Sequence, residues 1–459
     1  MSKLPTFYIF TFGCQMNAND SDWLKRALLS YGFEYTTHDK AELIIFNTCS
    51  VRDKPEQKVY SEIGRFSKIA QRKKRKIMIA VGGCVAQQVG KTLLSRFPLV
   101  KLVFGTDNLA QVPKFMLEVA QDSSKRFCLT DFNEEINERT HYFEMMNVKE
   151  QSGSAFVNIM QGCDNFCSYC IVPYVRGRQK SRNSQAILDE CQGLIEKGCR
   201  ELTLLGQNVN SYGQDKTGDG TNFSSLLKQL LPLKGLERLH FMTAHPKDIS
   251  DELIELLGSE KKLSPRLHLP IQSGSDKILK LMNRKYTVKD YLLLVEKVRK
   301  VRSDIQLSTD MMVGFPDESD LDFKDTLTIM NEIRFLDIYS YIYSDRPNTK
   351  SLMFNNKIER KLGLERLSIL QEQQKEYTKN ILSAMLGNIT EVFVDTKISN
   401  QQLSVTEQGI LGWQGKDHFD TTVNLIVKED IALNGLIVPS KIIETGQHSL
   451  VAVQVGKAW

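Results

Sequence analysis

The chain has 459 residues, 41% of them hydrophobic and 25% charged, and a formal net charge of +5. That length holds two to four domains of ~100–200 residues each, and the composition is that of a globular protein. With no apolar run of about 18 residues and no basic-then-apolar start, neither a membrane span nor a signal peptide is expected, and the protein is expected to be cytoplasmic.

Residues 1–145 read as a first domain. Predicted strands at 7–12, 43–46, 77–81 and 102–104 alternate with amphipathic stretches at 20–31 and 55–72. Such alternation argues for a Rossmann-like parallel sheet covered by helices. Cys14 follows the first strand in Thr-Phe-Gly-Cys, Cys49 the second in Asn-Thr-Cys-Ser, and Cys84 the third in Val-Gly-Gly-Cys. Ligands of an open parallel sheet gather outside the carboxyl ends of its strands. Any one of these cysteines alone is equally well a small buried hydrophobe. The same placement on three successive strands points to a three-cysteine metal site. Gly82-Gly83 lacks the spaced glycines and lysine of a phosphate loop.

A polar linker is expected over 133–154. Strands predicted at 155–160, 201–205, 238–242, 266–270, 305–311 and 336–342 then alternate with helices, among them capped ones at 184–197 and 287–301. Six strand–helix units suggest a partial (β/α)6 barrel, with its chemistry at the carboxyl ends of the strands. Directly after the first of these strands comes Gly-Cys-Asp-Asn-Phe-Cys-Ser-Tyr-Cys, placing Cys163, Cys167 and Cys170 in a C-x3-C-x2-C pattern. A closed zinc or iron–sulfur site takes four protein ligands; this run offers three. Either one metal position stays open for a small molecule, or a distant residue completes a zinc site. None of the seven histidines lies within the motif. Gln207 and Asn208 fall at the same rim after strand two, and Gln272 and Ser273 after strand four. Gly206, Gly274 and Gly314 would let backbone approach a ligand, although ordinary turns use glycine equally.

Two basic runs stand out: Arg65, Lys68, Arg72, Lys73, Lys74, Arg75 and Lys76, and Arg176, Arg178, Lys180 and Arg182. Charge runs are usually solvated faces. The second, just past the cysteines, is expected to hold a substrate backbone. A long helix is predicted at 357–383, followed by short alternating runs that read as a small antiparallel β-barrel over 386–459. That segment carries five lysines, no arginine and eight acids. Because phosphate contacts run on Lys and Arg, this balance speaks against RNA binding there. Cys128, Cys191 and Cys199 match no motif.

The motifs resemble the radical S-adenosylmethionine (SAM) methylthiotransferase family over nearly the whole chain. Thr-Phe-Gly-Cys-Gln-Met-Asn at 11–17, Asn-Thr-Cys-Ser-Val-Arg at 47–52 and Gly-Gly-Cys at 82–84 are similar to its N-terminal methylthiotransferase domain. The run 162–177, Leu-Leu-Gly-Gln-Asn-Val-Asn-Ser-Tyr-Gly at 204–213 and His-Leu-Pro-Ile-Gln-Ser-Gly-Ser-Asp at 268–276 resemble its radical SAM core, and the tail stands where a TRAM domain would.

The resemblance implies three domains, at 1–145, 146–385 and 386–459, and methylthiolation of N6-isopentenyladenosine beside the anticodon in tRNA. It implies two [4Fe–4S] clusters. Cys163, Cys167 and Cys170 would hold the one that cleaves SAM to a 5′-deoxyadenosyl radical. Cys14, Cys49 and Cys84 would hold an auxiliary one carrying the sulfur. SAM contacts fall to Gln207, Asn208, Gln272, Ser273, Gly274 and Gly314. A reducing electron donor is required, and the protein is expected to be a monomer. Branches acting on threonylcarbamoyladenosine in tRNA or on a ribosomal-protein aspartate differ at the first cysteine motif. A different class, a non-catalytic iron–sulfur or zinc protein, would need fourth ligands that the chain does not supply. Two departures from the family, Gly-Phe-Pro-Asp-Glu-Ser at 314–319 and Tyr-Ser-Asp-Arg-Pro-Asn-Thr at 343–349, replace usual glycines and are expected to alter loop geometry.

Overall fold

The computed structural model describes residues 4–50, 53–133, 153–398, 411–427 and 432–459. Most of the predicted linker lies outside the described residues.

The first domain is one sheet of six strands: β1 (Thr6–Thr11), β2 (Glu34–Tyr35), β3 (Leu43–Thr48), β4 (Met78–Gly83), β5 (Val100–Phe104) and β6 (Phe127–Leu129), all parallel in the order β2-β1-β3-β4-β5-β6. The edge strands β2 and β6, two and three residues long, are too short to show periodicity and were not expected. In β3 the alternation sorts side chains between two cores. Leu43 and Ile45 face the helices Gln15–Ser30 and Val112–Gln121, whereas Ile44 and Phe46 face Asp53–Lys73 and Lys91–Arg96. Leu24 and Leu28, one turn apart, are fully buried; removing such a side chain from water is worth about 1.5–3 kcal/mol. A doubly wound sheet of this order has its crevice where the winding reverses, between β1 and β3. Cys14 and Cys49 leave from those two strands.

The central domain begins at β7 (Ser154–Asn158). The short β8 (Met160–Gln161) and β9 (Lys180–Ser181) pair antiparallel and close the base of the loop carrying Cys163, Cys167 and Cys170. Five more strands follow: β10 (Glu201–Leu205), β11 (Arg238–Phe241), β12 (Arg266–His268), β13 (Gln306–Val313) and β14 (Asp337–Ile342). They form two parallel triplets, β7-β10-β11 and β12-β13-β14, joined by a parallel bridge from Leu239 to Leu263. This is the expected partial barrel. The helix Ser184–Glu196 is capped by Asn183, and Val288–Val301 by a box between Thr287 and Asp290.

The helix Arg360–Ala384 leads to a closed barrel of β15 (Ile389–Ile398), β16 (Leu411–Lys416), β17 (Thr422–Val427), β18 (Ile437–Thr445) and β19 (Ser449–Gln454). It is not wholly antiparallel as expected: β17 and β19 run parallel. The module seats against the amino ends of the central strands. Arg238, first in β11, donates to the Glu391 carbonyl at 2.6 Å, and Arg266, first in β12, to the Phe419 carbonyl at 3.1 Å. It therefore lies at the end of the partial barrel opposite the cysteine loop.

The two positions where the family usually has glycine keep a left-handed backbone. Asp317 and Asn348, at the replaced positions, hold φ of 67° and 65°. Asp and Asn are the side chains that best tolerate the left-handed region.

Candidate active site: two cysteine groups across a domain boundary

The three cysteines of the first domain come together because two glycines permit it. Gly13 (φ 149°) lies so close to Cys49 that an added Cβ would stand 2.5 Å from the Cys49 Cβ. Gly83 (φ 87°) presses on the Thr48 carbonyl, where a Cβ would come within 2.2 Å. No other residue fits either place. Cys14 is the N-cap of the helix Gln15–Ser30, and its thiol donates to Asn17 Oδ1 at 3.3 Å. Asn17 is itself fixed by bonds to Asn47 Oδ1 at 2.9 Å and the Thr48 carbonyl at 3.0 Å. Cys84 opens the helix Cys84–Val89.

The thiols influence one another. Hydrogen bonding with Cys49 pulls Cys14 down to about 5 and Cys84 down to about 6, against burial and with help from the Arg176 charge. Cys49, between them, is pushed strongly up by the same hydrogen bonds.

The second group is held by the segment after the helix Asp276–Leu281. Ser168 bonds the Leu281 and Met282 carbonyls at 2.8 and 3.0 Å, and Asn283 Nδ2 donates to the Phe166 carbonyl at 2.9 Å. Arg284 Nη1 reaches Cys167 Sγ at 3.4 Å. Burial pushes the Cys163 thiol up to about 11 and Cys170 up to about 12, so binding a metal here must displace protons. Sequence reasoning missed Arg284, which has no motif around it and reaches Cys167 only through the fold.

Both groups suit thiolate-held metal clusters by one test. Each lies against a buried guanidinium that hydrogen-bonds no carboxylate among the described residues: Arg284 bonds Cys167, the Tyr286 hydroxyl and the Pro270 carbonyl, and Arg176 adjoins Cys84, with Asp20 4.0 Å away. Such a cation needs nearby negative charge, which a set of thiolates supplies. Among the described residues, no three His, Cys, Asp or Glu side chains form a set for a single metal ion.

The two groups are neighbours. Ile171 and Val175, just after Cys170, pack on Cys84, and Thr106 Oγ1 donates to the Val175 carbonyl at 3.1 Å. Lys180 Nζ pairs with Asp107 at 2.6 Å, both nearly solvent-free.

The expected SAM contacts divide. Gln207 accepts from the Gly162 amide at 2.6 Å and touches Met16 of the first domain. Asn208 is buried, donates to Asp248 at 2.7 Å, and leaves its Oδ1 without a partner. Gln272, at φ 78°, accepts from the Tyr341 hydroxyl at 2.7 Å. Ser273 and Gly274 turn to the helix Asp320–Ile333: Gly274 donates to Thr326 Oγ1 at 2.9 Å, and a Cβ there would meet that helix's backbone at 2.6 Å. The Gly314 amide is taken by Glu318 Oε2 at 2.7 Å.

The run Arg176 to Arg182 is not the exposed substrate surface that was expected. Arg176, Lys180 and Arg182 are buried. Arg178 alone is open, paired with Asp164 at 2.7 Å and lying over the Phe166 ring. Arg176 turns to Cys84, Lys180 to Asp107 and Arg182 to Glu190, and charge composition carries no such direction. By contrast Arg65, Lys68 and Arg72 to Lys74 are exposed. Cys191 and Cys199 are core residues.

His245, at the end of β11, packs on Tyr286, and burial next to Arg284 and Lys247 lowers it to about 2. Unfolded, it would take a proton near 6.5. Its neutral burial therefore stabilises the fold above about pH 6.5, and that contribution declines as pH falls from there towards 2. Thermal melts between pH 7 and 4 should drop less steeply for His245→Gln than for the native chain; parallel curves would exclude this role.

Two family models match. Residues 6–105 match "Uncharacterized protein family UPF0004", and residues 157–330 match the radical SAM superfamily. A radical SAM methyltransferase, TsrM from Kitasatospora setae, solved with cobalamin and a [4Fe–4S] cluster, superposes with a TM-score of 0.53 at 15% identity, over 76% of this chain and 77% of that one. Fold and site thus define a radical SAM enzyme, a class whose cofactors are an iron–sulfur cluster and SAM. The tRNA-2-methylthio-N(6)-dimethylallyladenosine synthase of Nitratidesulfovibrio vulgaris is 48% identical over 454 residues, covering 99% of each chain. Those of Oleidesulfovibrio alaskensis and Lawsonia intracellularis are 48% and 46% identical, over 99% and 97% of this chain and 99% and 98% of theirs. The chain belongs to the tRNA-2-methylthio-N(6)-dimethylallyladenosine synthase family. Among the described residues no helix is long and apolar enough to cross a membrane.

Proposed function

We propose that this enzyme converts N6-isopentenyladenosine beside the anticodon of tRNA to 2-methylthio-N6-isopentenyladenosine. The observation that carries the reading is the pairing of two three-cysteine groups, joined by the seven residues from Cys170 to Arg176. Ile171, the residue after Cys170, packs in one buried cluster with Cys84, so the two groups adjoin. Support comes also from the family and from strand-end placement on two separate sheets.

In this reading Cys163, Cys167 and Cys170 hold a [4Fe–4S] cluster, and Cys14, Cys49 and Cys84 a second one carrying the sulfur. Three thiolates would leave the first cluster able to take SAM, and when bound it would supply the electron for SAM cleavage. The chain's own part is positional. Asn208, with its unpartnered Oδ1, and Gln272 are the side chains we assign to SAM, with Gln207 aligning the cysteine loop against Met16. Ser273, Gly274 and Gly314 shape the rim. Cys49 and Cys84 are buried, whereas Cys14 is exposed and the loop cysteines are half-buried, so a base can approach both groups; a positioned radical suits attack on an aromatic C–H without useful acidity. The units are 1–145, 146–385 and 386–459, and the protein works as a cytoplasmic monomer fed by an external reducing donor.

Mass spectrometry of tRNA nucleosides from cells lacking the gene, with and without its return, tests the substrate. The methylthio nucleoside should vanish and come back; an unchanged level overturns the assignment. Arg178 is the exposed cation nearest the loop. Arg178→Ala should weaken tRNA binding for all sequences alike and reduce the salt slope by about one. An unchanged slope removes it from the RNA interface.

A further inference from the structure

Arg176 is 4% exposed and belongs to the central domain, yet its guanidinium lies against Cys84 of the first. Its Nη2 makes no hydrogen bond among the described residues, and the nearest carboxylate oxygen, on Asp20, stands 4.0 Å away. A guanidinium carries five N–H donors, and burying one unsatisfied is costly. Packing of Ile171 and Val175 on Cys84 fixes the approach. At 4.0 Å Asp20 is beyond hydrogen-bond reach, so the Nη2 donors are left for an anion held at the thiolates.

We infer that Arg176 is a positioning residue of the auxiliary cluster, offering counter-charge on the Cys84 side and a hydrogen bond from Nη2 to an anionic sulfur ligand at the open iron. The inference rests on the reading of Cys14, Cys49 and Cys84 as cluster ligands. The ligand class is a small sulfur anion, hydrosulfide or a thiolate. The planar fork of arginine can serve charge and hydrogen bond together, whereas lysine keeps only the charge.

The test uses the full chain with Cys163, Cys167 and Cys170 replaced by alanine, so that one cluster remains. Iron content, the midpoint potential by EPR-monitored titration, and the hydrosulfide concentration giving a half-maximal EPR change are measured for Arg176, Arg176→Lys and Arg176→Gln. Loss of a nearby positive charge disfavours the reduced cluster. In Arg176→Gln the reduced-to-oxidised ratio at fixed potential should fall about tenfold, a 59 mV shift for a one-electron couple, and the hydrosulfide requirement should rise about tenfold, the size of effect a charge-assisted hydrogen bond carries. Arg176→Lys should restore the potential and not the hydrosulfide affinity. If Arg176→Gln matches the parent in both titrations, the inference is overturned. Should the glutamine variant not fold, the lysine variant decides: native potential with weakened hydrosulfide binding supports the role, and native binding overturns it. If the parent with Arg176 intact takes up no iron, the reading of the auxiliary cysteines fails, and the inference with it.

Discussion

Simultaneous replacement of Cys14, Cys49 and Cys84 by alanine should abolish methylthio product while SAM cleavage continues. The cysteines reside on different sheets. The first group hangs from β1, β3 and β4 of the N-terminal domain, whereas Cys163, Cys167 and Cys170 lie on one loop pinned by β8 and β9 and by the 281–284 segment. Alanine is smaller than cysteine and acceptable at a helix start, so the first domain should keep its fold. Reconstituted iron should fall by half, since each group takes one four-iron cluster in this reading. 5′-Deoxyadenosine should still form and methylthio nucleoside should not. Continued product would sink the auxiliary role, and loss of deoxyadenosine would show that the two groups are not independent. The converse variant, lacking the loop cysteines, should lose both products and keep the other half of the iron.

Lys180→Met should be the most damaging single change to stability. Lys180 and Asp107 have side chains only 6% and 3% exposed. Asp107 also receives Gln161 Nε2 and, at 3.0 Å, the Asn133 amide. Removing the lysine strands a carboxylate between two domains. Breaking a buried pair in this way costs about 3–5 kcal/mol. The pair also joins the turn after β5 to the strand closing the cysteine loop, so a looser join should waste radicals. Urea denaturation should register the loss, and more 5′-deoxyadenosine should form per methylthio product. Lys180→Met with Asp107→Leu should recover part of the stability, because no unpaired charge remains. A single variant within about 1 kcal/mol of the native protein would mean that water reaches the pair, as at exposed bridges.

The chain's local patterns were informative where burial is periodic. Short apolar runs located β3, β4 and β10 and an alternating run located β17, and the cysteines could be assigned to strand ends because a strand followed by Gly-Cys or Thr-Cys is a local signal. The caps at Asn183 and Thr287 belong to the same kind of information. What the sequence by itself determined is therefore the order of elements, the two cysteine groups and the chemistry they permit.

Direction and partnership were decided by the tertiary structure. Four basic residues, Arg176 to Arg182, have one composition, yet three turn inward to Cys84, Asp107 and Glu190, and one outward. Arg284 meets Cys167 across more than a hundred residues, and the terminal barrel chooses the amino ends of the central strands. Desolvation and ion pairing depend on what surrounds a side chain in three dimensions, and contacts between residues so distant in sequence leave no trace in a periodic pattern. Asp317 and Asn348 show the remaining case. The backbone there demands positive φ, and the sequence met that demand with side chains other than the glycine a reader of motifs would look for.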